Sequence, residues 1–149
     1  MAVVGPSEAG RETAAAAEEV GAGLARAGAV LVCGGLGGAM EAACRGAKRE
    51  GGTTLGLLPG SDRAAANRFL DLAVSTGLGE ARNALVVRAS DAVVAVGGGY
   101  GTLSEIALAL RTGMPVVGLG TWEIEGIQAA ASAAEAVSRA LGSTPGLAG

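Results

Sequence analysis

The chain has 149 residues, half of them apolar, with Phe69, Tyr100 and Trp122 as its only aromatics and a formal net charge of −3. An acidic chain with three scattered aromatics has neither the basic footprint of a nucleic-acid binder nor a row of rings for successive bases along a strand. No apolar run approaches the roughly 18 residues of a membrane span. The sequence contains no histidine, which excludes a histidine general base, a Ser-His-Asp triad and histidine-type zinc sites, so acid–base chemistry falls to carboxylates.

Met1-Ala2-Val3-Val4-Gly5 has no positive n-region and reads as a first strand, Ala2–Gly5, rather than as a signal peptide. A cytoplasmic protein is therefore expected. A helix over Glu12–Ala27 follows and ends at Gly28, a left-handed C-cap. Strand Val30–Cys33 runs through Gly34-Gly35-Leu36-Gly37-Gly38 into a helix over Ala39–Glu50, whose last turn carries Lys48, the sole lysine, where a cation complements the dipole. Cys33 and Cys44 lie on these two elements and read as small buried fillers rather than as a bridge. Next come strand Thr53–Leu58, the polar connection Pro59–Asn67 (expected to be mobile), strand Leu72–Val74, helix Gly79–Ala89 and strand Ala92–Val96. The spacing then predicts a helix over Thr102–Thr112 stopped by Gly113-Met114-Pro115, strand Val116–Leu119, a helix over Gln128–Leu141 and a frayed tail, Gly142–Gly149.

Continuous apolar strands alternating with helices predict an α/β fold: one domain, 1–149, with a three-layer α/β/α, Rossmann-like, doubly wound and mostly parallel sheet of about six or seven strands. In such a sheet the loops leaving the C-terminal ends of the strands share one edge, and ligands bind there at the topological switch point. The loops Gly5–Arg11, Gly34–Gly38, Pro59–Asn67 and Gly97–Glu105 should therefore converge, with Glu80, Arg82 and Asn83 beside them.

The most informative stretch is Gly97-Gly98-Gly99-Tyr100-Gly101-Thr102-Leu103-Ser104-Glu105. A buried strand, a glycine loop and a helix start make an anion seat, because bare main chain, unpaired N–H groups and the positive end of the helix dipole coincide. Phosphate is the expected anion. Gly34, Gly35 and Gly37 form a second junction of this kind. This second junction is neither a dinucleotide fingerprint nor a P-loop. Thr102-x-x-Glu105 also spells a capping box, in which Thr102 accepts from the Glu105 N–H and Glu105 returns to the Thr102 N–H, so a structural and a catalytic role are both open. Arg82 falls on a helix's first turn, a solvated position that is unfavourable for a cation unless an anionic ligand or a carboxylate such as Glu80 lies opposite. Ser7 and Arg11 are further phosphate contacts to consider.

These residues resemble the Lonely Guy family of phosphoribohydrolases, often mislabelled lysine decarboxylases, and the Rossmann-like nucleotide-binding superfamily around it. Gly98 to Glu105 matches the signature P-G-G-x-G-T-x-x-E from its second position onward, and Arg82 precedes Glu105 by 23 residues, as the family's arginine does. Asp91 matches its S/A-D-A, and Gly34 to Met40 is similar to its G-G-G-x-x-G-L-M element. Gly97 stands where the signature has proline and Asn83 where a lysine is usual, departures that fit a small branch near the molybdenum cofactor carrier proteins. The resemblance implies a nucleoside 5′-monophosphate-like ligand whose N-glycosidic bond is hydrolysed. Glu105 and Arg82 would be catalytic. Asn83, the two glycine junctions and Gly97 to Thr102 would bind the ligand, with no metal or organic cofactor. It also implies a homodimer, for which the alanine-rich segment Gln128–Leu141 offers a face. The alternative is a carrier that holds a phosphorylated ligand such as molybdenum cofactor without turnover.

Overall fold

The computed structural model describes residues 1–145, so the end of the expected tail, 146–149, lies outside the described residues. Seven short strands form one all-parallel sheet: β1 (Ala2–Val4), β2 (Leu31–Cys33), β3 (Thr54–Leu58), β4 (Leu72–Ser75), β5 (Val93–Val96), β6 (Val116–Leu119) and β7 (Ile127–Ala130). Their order is β4-β3-β2-β1-β5-β6-β7, with every neighbouring pair parallel. The chain winds outward from β1 to β4, then returns to β1's other side as β5 and winds outward again. The expected doubly wound fold is present, and its switch point lies between β1 and β5.

Side chains alternate across the strands and meet a helical layer on each face. Val3, Leu31, Val94 and Val117 pack with α1 (Arg11–Arg26), α2 (Ala39–Arg49) and α5 (Ala133–Gly142), while Ala2, Val4, Val93 and Ala95 pack with α3 (Asn83–Arg88) and α4 (Tyr100–Arg111). Helix α1 lies very close to α2. A Cβ on Gly21 would come within 1.9 Å of the Ala43 carbonyl oxygen, and one on Gly46 equally close to that of Glu18. Around this contact Glu18 pairs with Arg45 at 2.7 Å and with Arg49 at 2.8 Å. Gly28, at φ +78°, follows α1 as its left-handed terminator. Cys33 and Cys44 are buried free thiols with Sγ atoms 3.6 Å apart, and Lys48 is engaged by Asp71 at 2.8 Å and by the Gly52 carbonyl.

Three places differ from expectation by more than one residue. Gln128 to Ala130 belong to the edge strand β7, because pairing with β6 overrides the helical preference of glutamine and alanine. Helix α5 starts only after Ser132, whose hydroxyl accepts from the Glu135 N–H. Its Ala136, Val137 and Ala140 are buried against the chain's own core, while Ala134, Ser138 and Arg139 face outward. The helix expected over Gly79–Ala89 divides into a 3₁₀ turn, Gly79–Arg82, and α3. Finally, α4 starts at Tyr100 with Gly99 as its N-cap, ahead of the expected Thr102. Among the described residues no helix is long and apolar enough to cross a membrane.

Candidate functional site

At the switch point, β5 is followed by Gly97, whose φ of +68° lies where glycine is favoured and which turns the chain toward α4. The first helical hydrogen bond of α4 runs from the Leu103 N–H to the Gly99 carbonyl at 2.9 Å, so the amides of Tyr100, Gly101 and Thr102 precede the helical ladder. They form one wall of a cleft of about 450 Å³, a size suited to a small-molecule site. Gly99, Tyr100, Gly101, Thr102 and Glu105 line it from α4, and Glu80, Arg82 and Asn83 face it from the 3₁₀ turn and α3. Gly5, Pro6, Ser7 and Glu8 after β1, Leu36 and Met40 at the start of α2, and Pro59 after β3 complete it. The predicted convergence of loops is thus observed.

The early start of α4 removes the capping box. Gly99 is the N-cap, no side chain caps this end, and Thr102 lies within the first turn. Thr102 is 2 % exposed, and its Oγ1 has no hydrogen-bond partner among the described residues. Glu105 lies a turn farther along, 5 % exposed. Burial pushes its carboxyl pKa up to about 7, against the opposing pull of the Arg82 guanidinium 4.0 Å away.

Arg82 is buried rather than solvated, because the 3₁₀ turn carries it inward over the end of β2. Its Nη2 donates to the Gly34 carbonyl at 3.3 Å, its Nη1 donates to Asn83 Oδ1, and its Nε has no partner among the described residues. Burial draws its pKa down, and the Glu105 charge opposes that shift. Asn83 Nδ2 donates to Ser104 Oγ at 3.0 Å, which donates to the Gly101 carbonyl at 2.7 Å. One polar chain therefore ties the arginine to the first turn of α4.

Several expected ligand-binding residues lie behind the cleft wall. The Gly34 carbonyl holds Arg82, and a Cβ on Gly34 would stand 2.7 Å from Nη2. Gly35 donates its N–H to Cys33 Sγ at 3.3 Å, and Gly37 packs by the Ser7 carbonyl. Gly97 faces a separate concavity of about 630 Å³ together with Thr13 and Ser132. Gly98 lies against the Trp122 indole. Arg11 is an exposed residue opening α1, away from the cleft wall. Pro6, Glu8, Leu36, Met40 and Pro59 were not singled out from the sequence, and their one signal was adjacency to the glycine junctions and strand ends. Among the described residues no cluster of three or more His, Cys, Asp or Glu is placed to hold a metal ion.

The chain is 43% identical over 145 residues to an uncharacterized protein of Archaeoglobus fulgidus, covering 97% of this chain and 95% of that protein. Its fold superposes with a TM-score of 0.88 on the molybdenum cofactor binding protein of Rippkaea orientalis, at 37% identity and with 92% and 91% of the two chains covered. The Moco carrier protein of Chlamydomonas reinhardtii gives a TM-score of 0.84 at 37% identity, over 92% of this chain and 91% of that one. These likenesses fit the expected branch of Rossmann-like proteins near the molybdenum cofactor carriers. The model of the SLOG cluster4 family matches residues 1–144, and the chain belongs to that family.

Proposed function

We propose that the protein binds a phosphate-bearing small molecule and holds it as a carrier, with a phosphorylated pterin of the molybdenum-cofactor type as the ligand class. Thr102 carries the reading. Thr102 lines the cleft, and its hydroxyl is buried without a partner in the same turn as the Tyr100 and Gly101 amides that precede the helical ladder. A hydroxyl donor beside free amides at a positive helix end is an arrangement that a phosphate satisfies. Among the described residues, Arg82 is the one cationic side chain that lines the cleft. In this reading Gly99 to Thr102 seat the anion, Gly98 carries the Trp122 indole, Gly34, Gly35 and Gly37 position Arg82 and the start of α2, and Gly97 sets the turn into α4. Similarity to a molybdenum cofactor binding protein and to a Moco carrier protein supports the pterin. The carrier is a single domain and works as a homodimer, its cargo the only organic group involved.

Glu105 favours a second reading, hydrolysis of the N-glycosidic bond of a nucleoside 5′-monophosphate. A buried carboxyl with a pKa of about 7 beside a guanidinium is poised for general acid–base work near neutrality. Glu105 would activate water or stabilise an oxocarbenium-like sugar. Arg82 would orient the ligand, and Asn83 would position both Arg82 and the sugar.

Incubation with AMP separates the two readings. A carrier shows a thermal shift with a pterin monophosphate or molybdenum cofactor and returns AMP intact. A hydrolase releases adenine and ribose 5-phosphate, and Glu105→Gln slows that release by on the order of 10²–10⁴. If inorganic phosphate, AMP and a pterin monophosphate all fail to shift the melting temperature, both readings fall. Light scattering in solution tests the dimer.

A further inference from the structure

Two of the three aromatic residues meet beside the cleft, Tyr100 lining it and Trp122 packed behind on Gly98. The Tyr100 and Trp122 rings have centroids 6.2 Å apart and planes inclined by 32°. Trp122 follows β6, and its indole N–H donates to the Gly99 carbonyl at 3.2 Å, fixing it against the junction that leads into α4. A Cβ on Gly98 would come within 3.1 Å of the indole nitrogen, so the ring rests on that glycine. Tyr100 opens α4, lines the cleft and is 85 % exposed. The core is built of Ala, Val, Leu, Ile, Met and Cys, and this aromatic pair takes no part in it.

The charges of the cleft point the same way. Glu8 and Glu80, both exposed, line it together with buried Glu105, against Arg82 as the one cationic side chain among the described residues of the lining. An anion is therefore favoured at the α4 end and disfavoured near the two exposed carboxylates, which instead suit N–H donors. A phosphate fills only a fraction of about 450 Å³. The remaining space is large enough for a ring system, and the two exposed carboxylates suit N–H groups on its edge.

We infer that Tyr100, backed by Trp122, is the stacking surface for the planar heteroaromatic ring of the bound phosphate ester, and that Glu8 and Glu80 accept from the ring's N–H groups. The inference rests on the phosphate seat proposed above and adds the residues that recognise the ring of the ligand. Guanine and pterin rings both carry the required edge, an amino group beside a ring N–H.

The test compares GMP and a pterin monophosphate with ribose 5-phosphate, the same anion without a ring, by calorimetry and by the emission of Trp122, the only tryptophan. At least one ring compound should bind on the order of tenfold more tightly than ribose 5-phosphate and perturb Trp122 emission, which ribose 5-phosphate should leave unchanged. Tyr100→Ala keeps the main-chain amide and should lower the ratio of the two affinities severalfold, leaving the share due to Glu8 and Glu80, and Tyr100→Phe should restore it. If both ring compounds bind no better than ribose 5-phosphate, or Tyr100→Ala leaves the ratio intact, the inference is overturned while the phosphate seat stands. If ribose 5-phosphate and both ring compounds fail to bind, the phosphate seat itself is wrong and the inference falls with it.

Discussion

Glu105 is one helical turn too deep to cap anything, and its burial makes stability depend on pH. The fold favours its protonated form, so between the ordinary carboxyl value of 4.5 and about 7 the native state binds more protons than the unfolded chain. Stability from this group is therefore greatest at the acidic end of that window and falls as pH rises through it, by on the order of 3 kcal/mol. Glu105→Gln should remove this slope, which denaturant titrations of both proteins at the two ends of the window would reveal. An equal slope in the variant would place the titration elsewhere. Thr102 allows an independent test. Thr102→Val keeps the shape and deletes a buried hydroxyl that has no partner, so stability should hold or rise by up to about 1 kcal/mol, while affinity for inorganic phosphate falls. A loss of stability would mean that the hydroxyl serves the fold.

The first turn of α4 is where sequence and structure disagree most usefully. T-x-x-E predicts a helix starting at Thr102, whereas Gly99 caps it and Tyr100, Gly101 and Thr102 form the opening turn. Gly101 is thus a helical glycine, and a Cβ there would meet nothing within 4 Å. Gly101→Ala should stabilise the protein by about 0.5–1 kcal/mol and still weaken phosphate binding by crowding the anion, as thermal melts and calorimetry would register. Undiminished affinity would move the anion off this turn. The other elements were legible where the signal is local. Apolar runs marked β1, β2, β3, β5 and β6, and Gly28 marked the end of α1. Strand β7 was not legible, because Gln128-Ala129-Ala130 has no strand preference and becomes a strand only when β6 is there to pair with.

The cleft draws on segments that follow β1, β2, β3, β4 and β5, brought to one edge by the sheet order. Binding there should therefore stabilise the fold as a unit. At a free ligand concentration of ~100 times its dissociation constant, the gain is about 2.7 kcal/mol. For a chain of this size that corresponds to a rise in melting temperature of roughly 5–10 °C. GMP or a pterin monophosphate should produce it in the unmodified protein. Tight binding without any rise would mean that the ligand sits outside the cleft or also binds the unfolded chain.

The sequence by itself determined the alternation of elements, the parallel sheet and the edge on which the loops gather, because apolar period and glycine punctuation are properties of short segments. It also marked Arg82, Asn83, Thr102 and Glu105, all of which line the cleft. Only the tertiary structure decided what each of them experiences. Arg82 is buried because a 3₁₀ turn tucks it against the Gly34 carbonyl, and Glu105 is shifted because α4 begins early and carries it inside. Tyr100 and Trp122 become neighbours because β5 and β6 lie side by side. Burial, pairing and ring contact depend on residues distant in sequence, and no local pattern encodes them.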